Sequence, residues 1–287
     1  MQRSLAVIAV LAIAAHLPCS GGGRVRDLPP DPKVVRTAVI GGMTMTGLWP
    51  AIAKRFEAST GIRVVVVATG QRPQLAKAFR EGKADLLTMH SGDITTDLVA
   101  DGYGIRMRPW TRNNLVIMGP PTDPAKIKGL KSGEEAFRRI AEAKAPFVDS
   151  LGMGAREVWH RACHRAHVDR TGDWIVRDQA VPKYSILLFA EKRNAYVVVG
   201  RMPVLFGKMG RGGMQIMVEA DPKMRRPYIV MEANPKRLPK ANHAGARALA
   251  DFLLSEETQR FLARFRADEF GGIPLFHPVW PRDAASK

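Results

Sequence analysis

The sequence is poor in cysteine and in acidic residues. Only two cysteines, Cys19 and Cys163, occur among 287 residues, so a disulfide framework is excluded. Asp and Glu number 27 against 44 Lys and Arg, which gives a formal net charge of +17. A basic surface concentrates anions and anionic membranes near a protein. Nucleic acid is not a predicted partner, because the chain has no zinc-finger spacing, no RNP-type aromatic motif and no basic heptad helix.

Apolar runs long enough to span a bilayer are also missing. Residues 1–15 combine a basic start with a short apolar run and are followed by small residues, which is typical of a secretory signal peptide. We predict a signal peptide over 1–22, a flexible leader over 23–33, and a periplasmic or otherwise extracytoplasmic protein. A lipid anchor at Cys19 is not favoured, because the preceding residues are not the small ones that such a site requires. Cys163 is then an unpaired thiol.

Signatures of catalysis are absent as well. The sequence contains no nucleophile elbow, no P-loop and no Gly-rich dinucleotide fingerprint. Asp149 and Glu157 could form an acid–base pair, but no motif orients them. We therefore predict a protein that is not an enzyme and needs no cofactor.

Strand-like and helix-like segments alternate after residue 33. The run VVRTAVI is followed by a helical pattern that Gly61 closes and then by the Val-rich run IRVVVVA. Continuous Val-rich runs are typical of central strands that are covered on both faces. The alternation predicts an α/β fold with a ligand at the carboxyl ends of the strands. Near the end of the chain, GARALADFLLSEETQRFLARFR predicts amphipathic helices that pack on the first lobe.

Several segments occur in a fixed order between residues 35 and 278. They include TGQ, KADLLTMHSG, LVADGYG, RPWTRNNLVIMGPPTDPAKIKG, AFRRIAEAKAPFV, EADPKMRRPYIVMEANPKR, ALADFLLSEETQRFLARF and GGIPLFHP. Together they resemble the periplasmic tungstate-binding proteins of ABC importers, a branch of the type II oxyanion-binding solute receptors. The resemblance implies two α/β lobes, each with a parallel sheet, joined by two crossing strands, which NNLVIMGPP and RPYIVMEANP supply.

The same resemblance implies how such a protein works. An anion lies in the cleft, held by hydroxyl groups and helix N-termini of both lobes. Hinge closure then presents the anion to a membrane permease. We expect the first lobe over 34–113 and 231–287, the second lobe over 114–230, and a monomeric protein with a small anionic ligand.

The loops that should hold the ligand depart from the family pattern. The family's first loop is rich in Thr and Ser, whereas IGGMTMTGL keeps Gly47 and two threonines and adds methionines. The second-lobe loop, VDSLGMGARE, loses the family's arginine, serine and threonine, and Met153 takes the place of a serine. A third loop becomes QAVPKYS, and GRMP keeps Arg201. A tetrahedral oxyanion needs many donors, so fewer hydroxyls and more thioethers suit an organic anion at least as well as tungstate.

The predicted binding residues come from both lobes. Thr69 and Gln71 follow from the matched TGQ, and Arg201 from a partial match. Arg72 and Arg156 are added because an arginine offers a planar fork to an oxyanion. The complete set is Met43, Thr44, Met45, Thr46, Thr69, Gln71, Arg72, Met153, Gly154, Arg156 and Arg201.

Three alternatives remain open from the sequence. The methionines, Met202 included, could be ordinary core residues, as most methionines are. The ligand could be tungstate or molybdate, a small organic anion, or a soft metal such as copper or zinc. Residues with metal-binding side chains share one helical face at spacings of three and four; they are His160, Cys163, His164 and His167. The chain could also be a sensor or scaffold that has lost transport.

Overall fold

Strands and helices alternate through residues 31–150, 154–177 and 181–279, the parts of the chain that the structure, a computed structural model, describes. The predicted signal peptide and nearly all of the leader, with Cys19, lie outside the described residues, as does Met153. The strands are β1 (Val34–Ile40), β2 (Arg63–Gly70), β3 (Leu86–His90), β4 (Gly104–Gly119), β5 (Phe147–Asp149), β6 (Ile175–Arg177), β7 (Tyr196–Gly200), β8 (Gln215–Val218), β9 (Arg225–Ala233) and β10 (His277–Pro278).

The helices fill most of the connections between these strands. They are α1 (Gly41–Met45), α2 (Leu48–Thr60), α3 (Arg72–Arg80), α4 (Asp93–Ala100), α5 (Gly133–Glu142), α6 (Ala155–Arg165), α7 (Ile186–Glu191), α8 (Arg201–Leu205), α9 (His243–Leu254) and α10 (Glu256–Leu262). Short 3-10 turns lie at Lys183–Ser185, Pro222–Met224 and Asp268–Phe270. None of the described helices is long and apolar enough to cross a membrane.

The strands form one sheet path in the order β2-β1-β3-β9-β4-β7-β5-β6. At one end β1 pairs in parallel with β2 and β3, and at the other β5 pairs in parallel with β6 and β7. Between them, the long strands β4 and β9 pair with each other in antiparallel fashion. These two connecting strands carry the sheet from one lobe to the other. The predicted two-lobe α/β fold is confirmed.

Separate hydrophobic cores support the two ends of the sheet. The first-lobe core contains Trp49, Phe56 and Trp110, and the C-terminal helices α9 and α10 contribute to it as predicted. In the second lobe, alternate residues of β7 belong to different cores: Tyr196 and Val198 to one, Val197 and Val199 to the other. Because successive strand residues point to opposite faces, this sheet is covered on both sides. The exact lobe limits stay a prediction.

The position of β2 differs from the prediction. Its Val-rich run predicted a central strand, but β2 is the edge strand of the sheet path, and Val66 and Val67 are 41% and 40% exposed. The register between β1 and β2 shifts beside Val67, between Thr37 and Ala38. β-branched residues favour the extended conformation at an edge as well as in the middle of a sheet. The valine run therefore indicated a strand but not its place.

Helix α8 of the second lobe contributes a buried residue to the first-lobe core. Helix α8 follows β7 directly, yet Met202 in α8 is only 3% exposed and packs in the first-lobe core. Its methyl group would lie 3.8 Å from a Cβ placed on Gly42 of α1. The lobes are therefore joined by a buried side chain as well as by β4 and β9.

Candidate functional site

The carboxyl ends of β1 and β2 bring two predicted hydroxyl residues together. Helix α1 starts directly after β1, and a Cβ on Gly41 would lie 3.5 Å from the carbonyl oxygen of Gly70 at the end of β2. The Oγ1 atoms of Thr44 and Thr69 are 3.1 Å apart, and the Thr44 hydroxyl also lies 3.0 Å from the Gly41 carbonyl oxygen. Thr69 is exposed, so this hydroxyl pair opens to the cleft.

Arg72 is the first residue of α3, next to this pair. The N-cap residue Gln71 is exposed, and its backbone N–H donates to Gln74 Oε1 at 3.0 Å. Pro73 in the first turn fits the helix start, because its fixed φ suits that position. A Cβ on Gly92, in the loop after β3, would lie 2.8 Å from Arg72 Nη1. The Arg72 guanidinium therefore extends toward the end of β3.

Arg226 brings a second guanidinium to the same place from the connecting strand β9. The residue is 8% exposed, and its Nη2 donates to the carbonyl oxygen of Ser91 at 3.2 Å and lies 4.0 Å from the Cβ position of Gly92. A Cβ on Gly154, at the start of α6 in the second lobe, would overlap the same guanidinium. Arg226 Nε is buried and has no hydrogen-bond partner in the described structure. One arginine thus contacts both lobes and keeps unused donors.

Lys183 adds a third positive charge from the second lobe. The surrounding protein lowers the pKa of this partly solvated amine first by desolvation and then through the charges of Arg226 and Arg72. Desolvation and Arg72 likewise lower the pKa of Arg226. Within the described residues, no salt bridge joins these three cations to an acidic residue, although Glu157 acts on Arg226 from a distance. In the part of the chain that the structure describes, the cleft thus contains a cluster of like charges without a salt-bridged counter-ion.

Two aromatic rings, those of His90 and Tyr228, pack against each other close to these cations. Their ring centroids are 3.9 Å apart with an interplanar angle of 31°, and Tyr228 is 1% exposed. Burial lowers the pKa of His90 well below its ordinary value, and Arg226, Arg72 and Lys183 lower it further. The imidazole is therefore neutral at pH 7 and can donate one N–H without adding a charge.

The low pKa of His90 predicts that the protein loses stability in acid. The unfolded chain takes up a proton near pH 6.5 whereas the folded site resists it, so stability is fully present above pH 6.5 and falls as pH decreases below it. One such group changes the free energy of unfolding by up to about 1.4 kcal/mol per pH unit. Urea unfolding between pH 7.5 and about pH 5 should show a shallower decline for His90→Asn than for the wild type.

The exposed His164 provides the matched control for this measurement. His164→Asn should keep the wild-type dependence of stability on pH. An equal slope for the wild type and His90→Asn would show that His90 is not held neutral by the fold.

Several predicted residues face the protein interior instead of the cleft. Met43 is fully buried in the first-lobe core, where its Sδ lies 3.8 Å from Thr88 Oγ1, and Met202 is buried with it. Thr46 is 1% exposed, and its hydroxyl donates to the Gly42 carbonyl at 2.8 Å. The prediction that Met43 and Thr46 line the cleft is wrong, because the glycine loop forms helix α1 and directs these two side chains inward. Met202 of α8 is a core residue, which was the alternative for the methionines. Met45 is half-buried.

The two predicted second-lobe arginines are bound to protein acceptors. Arg156 forms a two-point ion pair with Asp149, with N···O distances of 2.6 and 2.8 Å. Arg201 is 3% exposed; its guanidinium contacts Glu219 at 2.9 Å and the carbonyl oxygens of Phe270 and Ile273 at 3.0 and 3.2 Å. The structure corrects their predicted role, because Arg156 is held by Asp149 of the same lobe and Arg201 joins Glu219 to the C-terminal segment that packs on the first lobe.

Polar groups of the site that the sequence did not predict are Arg226, Lys183, His90 and Ser150. Ser150 follows β5, is 4% exposed, and its Oγ has no hydrogen-bond partner in the described structure. Lys183 lies in the recognised loop QAVPKYS, and Ser150 in VDSLGMGARE. Their positions in the predicted ligand loops could have identified Lys183 and Ser150 as candidates. For Arg226 the sequence contains no such indication beyond its place in a crossing strand.

The metal-binding alternative lacks support from the geometry of α6. Cys163 is fully buried in the second-lobe core, and burial raises the pKa of its thiol to about 12. A thiol with that pKa is not a thiolate ligand at neutral pH. His164 and His167 are exposed, whereas Cys163 is buried. Among the described residues, no group of three or more His, Cys, Asp or Glu side chains could hold a metal ion.

Two α/β lobes, two connecting strands and a cationic cleft define a type II solute receptor. The chain is 31% identical over 243 residues to the putative ABC transporter anion-binding protein of Haloferax volcanii, covering 81% of this chain and 68% of that protein. It is 29% identical over 296 aligned positions to the tungstate-binding protein TupA of Peptoclostridium acidaminophilum, covering 97% and 99%. The fold is similar to that of TupA from Desulfovibrio alaskensis G20, with a TM-score of 0.67, 24% identity and coverage of 85% and 98%.

The match to a family model is equally extensive. The model of the bacterial extracellular solute-binding proteins matches residues 37–265. The chain belongs to this family, and the sequence-based resemblance is confirmed.

Proposed function

We propose that the chain is the extracytoplasmic receptor of an ABC importer and binds a small oxyanion, of the tungstate or molybdate type, between its lobes. The observation that carries the proposal is the convergence of Arg72, Lys183 and Arg226 without an acidic partner in the described residues. Like charges brought together repel one another, and the buried Arg226 also resists desolvation. An anion bound among them would offset both effects.

The donors around this cluster suit an oxyanion. We propose contacts from the hydroxyls of Thr44 and Thr69 in the first lobe, from Ser150 in the second, and from the three cations. Gly154 would contribute through the N-terminal end of α6, whose backbone N–H groups and dipole favour an anion. Such a mixture of hydroxyl, backbone and charged donors fills the hydrogen-bonding capacity of a small oxyanion.

An oxyanion is favoured over an organic anion because one of the methionines predicted to bind the ligand, Met43, lies in the core instead of the cleft. Met43 and Met202 belong to the core, which leaves Met45 as the half-buried methionine of the first loop. The names of the relatives, an anion-binding protein and a tungstate-binding protein, support the same choice. Further parts of the proposal are a monomeric receptor, no catalysis, and no lipid anchor at Cys19.

A thermal-shift titration of the ligand-stripped mature protein tests the proposal. The panel contains tungstate, molybdate, sulfate, phosphate, acetate, copper and zinc. At a hundred times its dissociation constant a ligand stabilises the native state by about 2.7 kcal/mol, which raises the Tm by several degrees. We expect this response for at least one tetrahedral oxyanion and none for copper.

A protein with Arg72→Met and Lys183→Met serves as the control, because it should fold and lose the response. A shift with copper or zinc alone, or with acetate alone, would contradict the proposal.

A further inference from the structure

Arg226 combines three properties that no other described cation of the cleft shares. It lies on a connecting strand, where it pairs with Asn113 of β4, instead of on either lobe's loops. It is more than nine-tenths buried, with an unpartnered Nε. Its guanidinium fits between backbone segments of both lobes, at Ser91 and at Gly154.

The hydrogen bonds of Arg226 leave most of its capacity unused. A guanidinium carries five N–H donors, and the described contacts of Arg226 include a single hydrogen bond, to the uncharged carbonyl of Ser91. An arginine of this burial is ordinarily matched by a carboxylate, as Arg201 is by Glu219. Among the described residues no carboxylate forms a salt bridge with Arg226, so a bound anion would supply the negative charge that this guanidinium lacks.

The charge count then distinguishes between kinds of anion. Arg72 and Arg226 both reach the Cβ position of Gly92, and both act on the charge of Lys183. Against these three positive charges a monoanion leaves two uncompensated, whereas a dianion leaves one. The difference in electrostatic energy between a monoanion and a dianion should be largest at Arg226. Solvent screens Arg72 and Lys183, whereas Arg226 is buried.

We infer that Arg226 is a ligand-binding residue that selects anions by charge, so that the receptor prefers doubly charged tetrahedral oxyanions to singly charged ones of the same shape. This inference rests on the proposed function and adds the residue that sets its specificity. A lysine at the same position would keep the charge but lose the planar fork that matches two oxygens at once.

Tungstate and perrhenate provide the test, because both are tetrahedral oxyanions of similar size and differ by one charge. Isothermal titration at constant ionic strength would compare the wild type with Arg226→Met, Arg226→Lys and Arg225→Met. Arg225 is the matched control, since it is the preceding residue of β9 and donates to Asn114 Oδ1 at 3.3 Å. Adjacent strand residues point to opposite faces.

The expected result is a change in selectivity and not only in affinity. The wild type should bind tungstate more tightly than perrhenate, and Arg226→Met should weaken tungstate binding by roughly 30-fold or more while affecting perrhenate much less. Arg226→Lys should weaken binding but keep the preference for the dianion. Arg225→Met should change either affinity by less than about threefold, because rim charges contribute little.

An unchanged tungstate-to-perrhenate ratio in Arg226→Met would overturn the inference while leaving the proposed function intact. If the wild type bound neither tungstate nor perrhenate, and no other tetrahedral oxyanion of the thermal-shift panel, the proposed function would be overturned instead. Circular dichroism establishes that the variants fold, and Arg226→Gln carries the same test if the methionine variant does not.

Discussion

Gly154→Ala should abolish most anion binding although the mutated residue carries no side chain that could bind a ligand. A Cβ at this position would overlap the Arg226 guanidinium, so the arginine has to leave its place between the lobes. Gly154 has φ −66° and ψ −7°, which alanine adopts without strain. The backbone therefore tolerates the change, and the effect is expected to approach that of Arg226→Met, roughly 30-fold in affinity. Isothermal titration with tungstate measures it.

Gly210→Ala is the matched control for this substitution. Gly210 also lies in the second lobe, and an added Cβ would only reach ordinary contact with Leu188 at 3.6 Å. Its anion affinity should equal that of the wild type. If Gly154→Ala bound tungstate normally, Arg226 would not depend on the space that Gly154 leaves open.

Asp85→Ala should lower the free energy of unfolding by about 3–5 kcal/mol. The Asp85 carboxylate is fully buried and accepts from the backbone N–H of Arg36 at 2.7 Å and of Asn242 at 3.0 Å. It also forms an ion pair with the Arg36 guanidinium. Alanine would leave two backbone donors and a cation without their acceptor. Because Asn242 caps α9, the variant should also loosen the C-terminal helix.

Urea unfolding checks this expectation, with Asp251→Ala as the control. Asp251 is 54% exposed in its ion pair with Arg108, and exposed pairs contribute at most about 1 kcal/mol. If the two variants lost similar free energies of unfolding, the burial of Asp85 would not explain its contribution to stability.

The sequence allowed the fold to be predicted because alternation of strands and helices is a property of local segments. Hydrophobic periodicity identified α9 and α10, and their place in the first-lobe core follows from the apolar face they must bury. The place of β2 at the sheet edge was not predictable in this way. Edge and central strands differ in their neighbours, which the valine run does not encode.

The binding site was harder to predict because its residues depend on side-chain direction. Met43 was expected in the cleft, but residues 41–45 form a short helix that turns it into the core. Arg156 was expected to bind the ligand, but its guanidinium forms a salt bridge with Asp149 on the other side of the loop. Arg225 and Arg226 are adjacent in the sequence, and only the pleat of β9 gives them different surroundings. In each case a contact with a distant segment decides the role.

Met202 restricts how the two halves of the receptor can move. Its side chain belongs to α8 of one half but is buried in the core of the other. Withdrawing a buried methionine from such a site costs about 1.5–3 kcal/mol. Opening by straight separation would include this cost, whereas a rotation about an axis through α8 keeps the side chain seated. The two lobes should therefore open by rotating about an axis near α8, and the ligand should enter from the side of the cleft farthest from α8.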